Sequence, residues 1–132
     1  MSSSSASYTV KFSLEDNNPT FYLNGTKVTE GGNDISESLG DGDIDLIFNL
    51  EAGDNVSSVK WDDGSAGFQW PNGMPSWISY SRNSDSKVTV TDNTGSNPSG
   101  NEEQADFQFQ VVSNNTTYTS PDPVIINKKP PE

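Results

Sequence analysis

The chain has 132 residues, of which 30% are hydrophobic, and carries a net charge of −12 from 19 acidic and 7 basic residues. That length suits one domain, whose folding buries roughly two-thirds of the unfolded chain's surface. The charge repels phosphate backbones and anionic membranes, which argues against nucleic acid and membrane as partners. The absence of histidine and cysteine excludes Ser-His-Asp and Cys-His catalysis, zinc or copper bound through imidazole or thiolate, and any disulfide.

Residues 1–6 form a Ser-rich start expected to be flexible. The start has neither a basic cluster nor an apolar core of signal-peptide length, so a cytoplasmic location is expected, with an exported mature form as the alternative. In "SYTVKFSL", Tyr8, Val10, Phe12 and Leu14 alternate with Thr9, Lys11 and Ser13, the period-two pattern of a strand with one buried face. Asn24-Gly25 then separates two extended runs, and both residues tolerate the positive φ of a two-residue hairpin turn. The stretch "GGNDISESLGDG" is expected to be a loop. In "DIDLIFNLE", Ile44, Leu46, Phe48 and Leu50 share one face, while Asp43, Asp45, Asn49 and Glu51 take the other with Ile47.

Shorter runs follow. Val59 aligns with Trp61, Phe68 with Trp70, Ile78 with Tyr80, and Val88 with Val90. After the polar stretch "NTGSNPSGNEEQ", Phe107, Phe109 and Val111 face opposite to Gln108 and Gln110, and Asn114-Asn115 turns into the last strand. Pro121 and Pro123 cannot donate to a ladder, so they place that strand at an edge or split it. Residues 128–132 are expected to be an extended tail.

No window shows a helical stripe. The expectation is a single all-β domain over residues 1–132: an antiparallel two-sheet sandwich of about eight to ten short strands. Its order suggests an immunoglobulin-like arrangement, with "DIDLIFNLE" as second core strand, "NVSSVKW" as third, and "ADFQFQVV" hairpinned to the final strand. A barrel or jelly roll is the alternative.

Candidate chemistry concentrates in "WDDGSAGFQWPNGMPSW", which holds all three tryptophans. Trp61 keeps strand spacing with Val59 and reads as core. Trp70 and Trp77 flank a loop with two prolines, and Trp77 has the opposite parity to Ile78 and Tyr80. They either close the end of the core or leave an indole exposed. An exposed indole beside Asp62, Asp63, Gln69 and Asn72 would suit stacking with a sugar ring whose hydroxyls bond to carboxylate and amide groups. These six residues are the candidate ligand-binding set, and no catalytic residue is identified. Carboxylate pairs for a glycosidase are available only because the surface is acidic.

Asp41, Asp43 and Asp45 invite a calcium reading. A calcium loop starting at Asp41 needs Gly at its sixth position and Glu at its twelfth, where the chain has Leu46 and Ala52. Calcium on Asp62 and Asp63 stays open; no cofactor is implied. The sequons at Asn24, Asn55, Asn114 and Asn115 are read as chance in an Asn-, Ser- and Thr-rich chain.

The ending "YTSPDPVIINKKPPE" resembles the DP-EP family of small bacterial β-sandwich proteins, whose function is not established. More distantly, it is similar to the ends of PixA-type inclusion-body proteins. The resemblance implies a bacterial source, an immunoglobulin-like sandwich and no catalytic residues to carry over. Asp122-Pro123 reads as a rigid kink that re-aims Val124 and Ile126 inward. The resulting expectation is a non-enzymatic binding or self-assembly module whose partner is itself or another protein, with a carbohydrate-binding module as the alternative.

Overall fold

The computed structural model describes residues 4–16, 18–29, 35–38, 43–93, 103–121 and 124–128. One layer is a six-stranded sheet in the order β3-β2-β1-β5-β9-β8, built from β1 (Ser4–Glu15), β2 (Asn18–Leu23), β3 (Thr26–Lys27), β5 (Asp43–Ala52), β8 (Ile78–Arg82) and β9 (Lys87–Asn93). Opposite it lie β4 (Ile35–Ser38), β6 (Lys60–Trp61), β7 (Phe68–Gln69), β10 (Glu103–Asp106), β11 (Gln108–Ser113), β12 (Thr116–Thr119) and β13 (Val124–Lys128). They pair as β10-β13-β4 and β12-β11-β6, with β7 also on β11, and Phe107 alone separates β10 from β11. No helix occurs among the described residues.

The alternation read from the sequence is the physical origin of both layers. Val10, Phe12, Ile44, Leu46, Phe48, Val88 and Val90 point inward from the first sheet and Trp61, Phe68, Phe107, Phe109 and Val111 from the second, all buried. Phe48 bridges the layers, with its ring centroid 5.2 Å from Phe68 and 5.7 Å from Phe109, both edge-on, the geometry that suits the ring quadrupoles. The Asn24-Gly25 turn has φ of 50° and 84°, and Asn114-Asn115 has 51° and 63°, so both hairpins form at the expected dipeptides.

In the observed order β5 lies between β1 and β9, β6 pairs with β11, and β11 turns into β12. The antiparallel expectation holds for most pairs but not for β1 with β5 or β4 with β13, which are parallel. A parallel neighbour cannot be reached by a hairpin. The chain instead leaves β3, places β4 in the opposite layer and returns to β5. Among the described residues thirteen segments replace the expected eight to ten, because two runs are interrupted, into β10 and β11 and into β12 and β13, and β4 forms where a loop was expected.

Further corrections concern boundaries. Ser4, Ser5 and Ala6 belong to β1, where they pair with β5 in register (Ser5↔Asp45, Ala6↔Leu46), and residues 1–3 lie outside the described residues. Ile35–Ser38 is strand rather than loop, Glu103 and Gln104 open β10, and Lys128 ends β13 rather than beginning the tail. Ser13, expected at the surface, is buried because residues 53 and 54 pack over it: the Asp54 N–H donates to its Oγ at 3.1 Å. The final strand is split between β12 and β13, as the prolines required, and β13 is an interior strand between β10 and β4. Asp41, the Asp122-Pro123 kink, the side chains of Val124 and Ile126, and residues 129–132 lie outside the described residues.

Replacing Phe48 by Ala removes the ring that joins the layers, and such truncations cost about 3–5 kcal/mol. Urea denaturation of the variant is expected to show a midpoint lowered accordingly with the slope unchanged; a loss below about 1 kcal/mol would contradict the bridging role.

Candidate functional site

The segment from Trp61 to Trp77 leaves β6, loops through residues 62–67, returns as β7 and turns again before β8. Ala66 and Gly67 take left-handed backbone, φ 55° and 89°, which lets the loop fold tightly over the Trp61 indole. A Cβ on Gly67 would approach Trp61 Cε3 to 2.9 Å, so only glycine fits there. Asp62 holds the loop: its Oδ2 accepts from the Ser65 N–H at 2.9 Å and the Ser65 hydroxyl at 3.0 Å.

The tryptophans are core residues to different degrees. Trp61 is fully buried and stacks on Phe68 at 5.9 Å and 26°. Trp70 is half-buried, stacked on Phe68 at 5.9 Å and 19°, with Tyr80 and Phe107 also against it. Trp77 is 8% exposed. Its parity misleads because it lies in the turn before β8: its carbonyl accepts from the Asn93 N–H at 2.8 Å, and the Ile78 N–H donates to Pro75. Of the two indoles whose exposure the sequence left open, Trp77 is therefore the one that closes the core. Trp61 Nε1 and Trp70 Nε1 are buried with no hydrogen-bond partner among the described residues, so ring packing rather than the indole N–H fixes both side chains.

The polar members of the candidate set do not converge. Asp63 contacts Arg82 at 3.1 Å and Lys60 at 3.7 Å. Gln69 donates to Gln110 Oε1 at 3.0 Å on the outer face of the second layer, and Gln110 donates on to Thr119 Oγ1 at 3.1 Å. Asn72 donates to Asp106 Oδ2 at 2.6 Å. A groove of about 400 Å³ beside β10 contains Asn72 alone of the six, and another of about 420 Å³ along Ser58–Lys60, Val112 and Asn114–Asn115 contains none. No three His, Cys, Asp or Glu side chains gather around a metal position among the described residues. Asp62 and Asp63 are engaged in the loop and in ion pairs, and Asp45 accepts from Thr91 Oγ1 at 2.9 Å.

Sequence reasoning missed Arg82. From the inner side of β8 its Nε donates to the Trp61 carbonyl at 3.2 Å and its guanidinium pairs with Asp63 and Asp85, while the Tyr80 hydroxyl donates to the Ser65 carbonyl at 2.9 Å. Together they close the sandwich between β8 and the β6–β7 loop. The available signal was the alternation of "ISYSR", which puts Arg82 in phase with Ile78 and Tyr80. A second polar cluster joins Ser13, Glu15, Tyr22 and Asp54 on the first sheet. The Tyr22 phenol donates to Glu15, and this hydrogen bond, then burial and the nearby carboxylates, pushes its pKa above the usual tyrosine value. It therefore stays a hydrogen-bond donor to Glu15 in the neutral range.

A comparison with protein-family models gives no match, and a comparison with curated proteins gives no significant one.

Replacing Arg82 by Gln removes a charged donor from a backbone carbonyl and is expected to cost about 1–2 kcal/mol. The exposed Lys60–Asp63 pair is worth far less, so Lys60→Gln should stay within about 0.5 kcal/mol. Thermal unfolding of the two variants reads the difference; equal losses would show that the closure is only a surface charge effect.

Proposed function

We propose that the protein is a non-enzymatic binding or self-assembly module that engages another chain at the free edge of β8, its own copies included. The observation that carries the reading is the hydrogen-bond pattern of that edge. Asn93 donates to Trp77 and Asn83 to Lys87 across the β8–β9 pair. In an antiparallel ladder bonded positions alternate, so Ser79 and Ser81 turn their backbone groups toward β9, and Tyr80 and Arg82 turn theirs outward. Among the described residues no other strand pairs with that side.

Edge strands are commonly blunted by prolines, bulges or charges on the flat face. β8 has serines at the solvent-facing positions 79 and 81 and neither bulge nor proline. The other sheet ends are shorter: β3 has two residues, β6 and β7 are two-residue stretches broken by the 62–67 loop, and β4, β10 and β12 have four residues each against the five of β8. The resemblance of the ending to PixA-type proteins and the two-layer β architecture support the reading of a structural module. Net charge of −12 opposes self-association, so salt that screens repulsion should favour it.

Light scattering across a concentration series is expected to show molar mass rising with concentration and with salt, and the rise should vanish in Ser79→Lys/Ser81→Lys. Strictly monomeric behaviour at every concentration and salt would overturn the self-assembly form of the reading. Self-association unchanged in the lysine variant would move it to another surface.

A further inference from the structure

The connection from β7 to β8 contains Asn72-Gly73 in an exposed turn, closed by the Gly73 N–H donating to the Trp70 carbonyl at 2.9 Å. The Asn72 side-chain amide donates to Asp106 Oδ2 at 2.6 Å, tying this connection to β10 beside Met74, which is 46% exposed. An asparagine followed by glycine is open to attack on its own side chain, because no Cβ hinders the following backbone nitrogen. Around Gly73 the space is open, with no atom within 4 Å of the position a Cβ would take.

We propose that Asn72 is a self-modification site whose conversion releases the β7–β8 connection from β10. The Gly73 nitrogen gives up its proton and bonds to Asn72 Cγ, the bond from Cγ to the side-chain nitrogen breaks, and ammonia leaves. Water then opens the resulting succinimide at either carbonyl and leaves aspartate or isoaspartate at position 72. No oxidant or cofactor enters. The amide that donated to Asp106 has become a carboxylate, so an attractive contact turns into repulsion between like charges at hydrogen-bond distance. The connection lifts, and the groove lined by Met74, Pro75 and Gln104 widens.

The chain contains the same dipeptide at Asn24-Gly25, in a setting that blocks the reaction. There both residues are fixed in the hairpin turn, the Asn24 N–H donates to the Thr9 carbonyl at 2.8 Å, and Asn24 Oδ1 accepts from the Thr9 N–H at 2.8 Å. Backbone and side chain are both held by β1, and Cγ cannot swing onto the Gly25 nitrogen. Asn72 is restrained by one exposed side-chain contact and one turn hydrogen bond, and surface turns of this kind open readily.

The intact protein is incubated in alkaline and in mildly acidic buffer and followed by peptide mapping. Conversion at Asn72 is expected to be several-fold faster than at Asn24, to accelerate with pH as the Gly73 nitrogen loses its proton more readily, and to give both aspartate and isoaspartate. Equal or faster conversion at Asn24 would overturn the site. The consequence is read separately by thermal unfolding: Asn72→Asp should lower the midpoint by several degrees, and Asn72→Asp/Asp106→Asn should restore it by returning an amide to the pair. An Asn72→Asp midpoint that does not move, or a loss that the second substitution fails to rescue, would overturn the release.

Discussion

The structure depends on a slab of aromatic rings between two sheets. With 30% hydrophobic residues, the chain cannot fill a core with many aliphatic side chains and relies on a few large ones. Phe48, Phe68, Phe107, Phe109 and Trp61 meet at centroid distances between 5.2 and 6.3 Å, and Trp70 and Tyr80 extend the cluster toward the β8 edge. Phe and Trp each bury about 150–250 Å², so a handful of rings supplies much of the apolar burial such a domain needs. The left-handed loop at Ala66-Gly67, the single residue between β10 and β11, and the guanidinium of Arg82 over the Trp61 carbonyl are all arranged around these rings.

That constraint shapes what the surface can do. Trp61 and Trp77 are held inside the slab and Trp70 at its half-buried margin, and the carboxylates of the same segment are engaged: Asp62 shapes its loop, and Asp63 meets the charge of Arg82. Of the two larger grooves one is lined by a single member of the candidate set, Asn72, and the other by none. The described surface also offers backbone hydrogen bonding along β8 and the row Gln69, Gln110 and Thr119 across β7, β11 and β12. Both present hydrogen-bonding groups of the kind that a docked chain uses.

The parity of the sequence told which side chains are buried with few exceptions, because a strand between two environments has only two faces. It marked Val10, Phe12, Leu46, Phe48, Phe109 and Val111 directly. Asp92, in phase with Val88 and Val90, is fully buried in accordance with the same rule. Parity failed where a residue precedes its strand, as at Trp77, and where a neighbouring loop covers the outer face, as at Ser13. It carried no information on direction: the parallel pairing of β1 with β5 arises from a crossover through β4, and nothing in the alternation of "SYTVKFSL" distinguishes it from an antiparallel neighbour. The candidate site was legible as a segment but not as a constellation. Its polar residues find partners that are remote in sequence, Gln110, Asp106 and Arg82, and only the fold brings these together.

The account is tested most directly by acrylamide quenching of tryptophan fluorescence in variants that retain one tryptophan, the other two replaced by Phe. It predicts that Trp61 and Trp77 are nearly inaccessible in the native state and Trp70 partly accessible, with all three becoming fully quenchable on denaturation. Native-state quenching of Trp77 as strong as in the denatured chain would place that indole in solvent and contradict the aromatic slab as described.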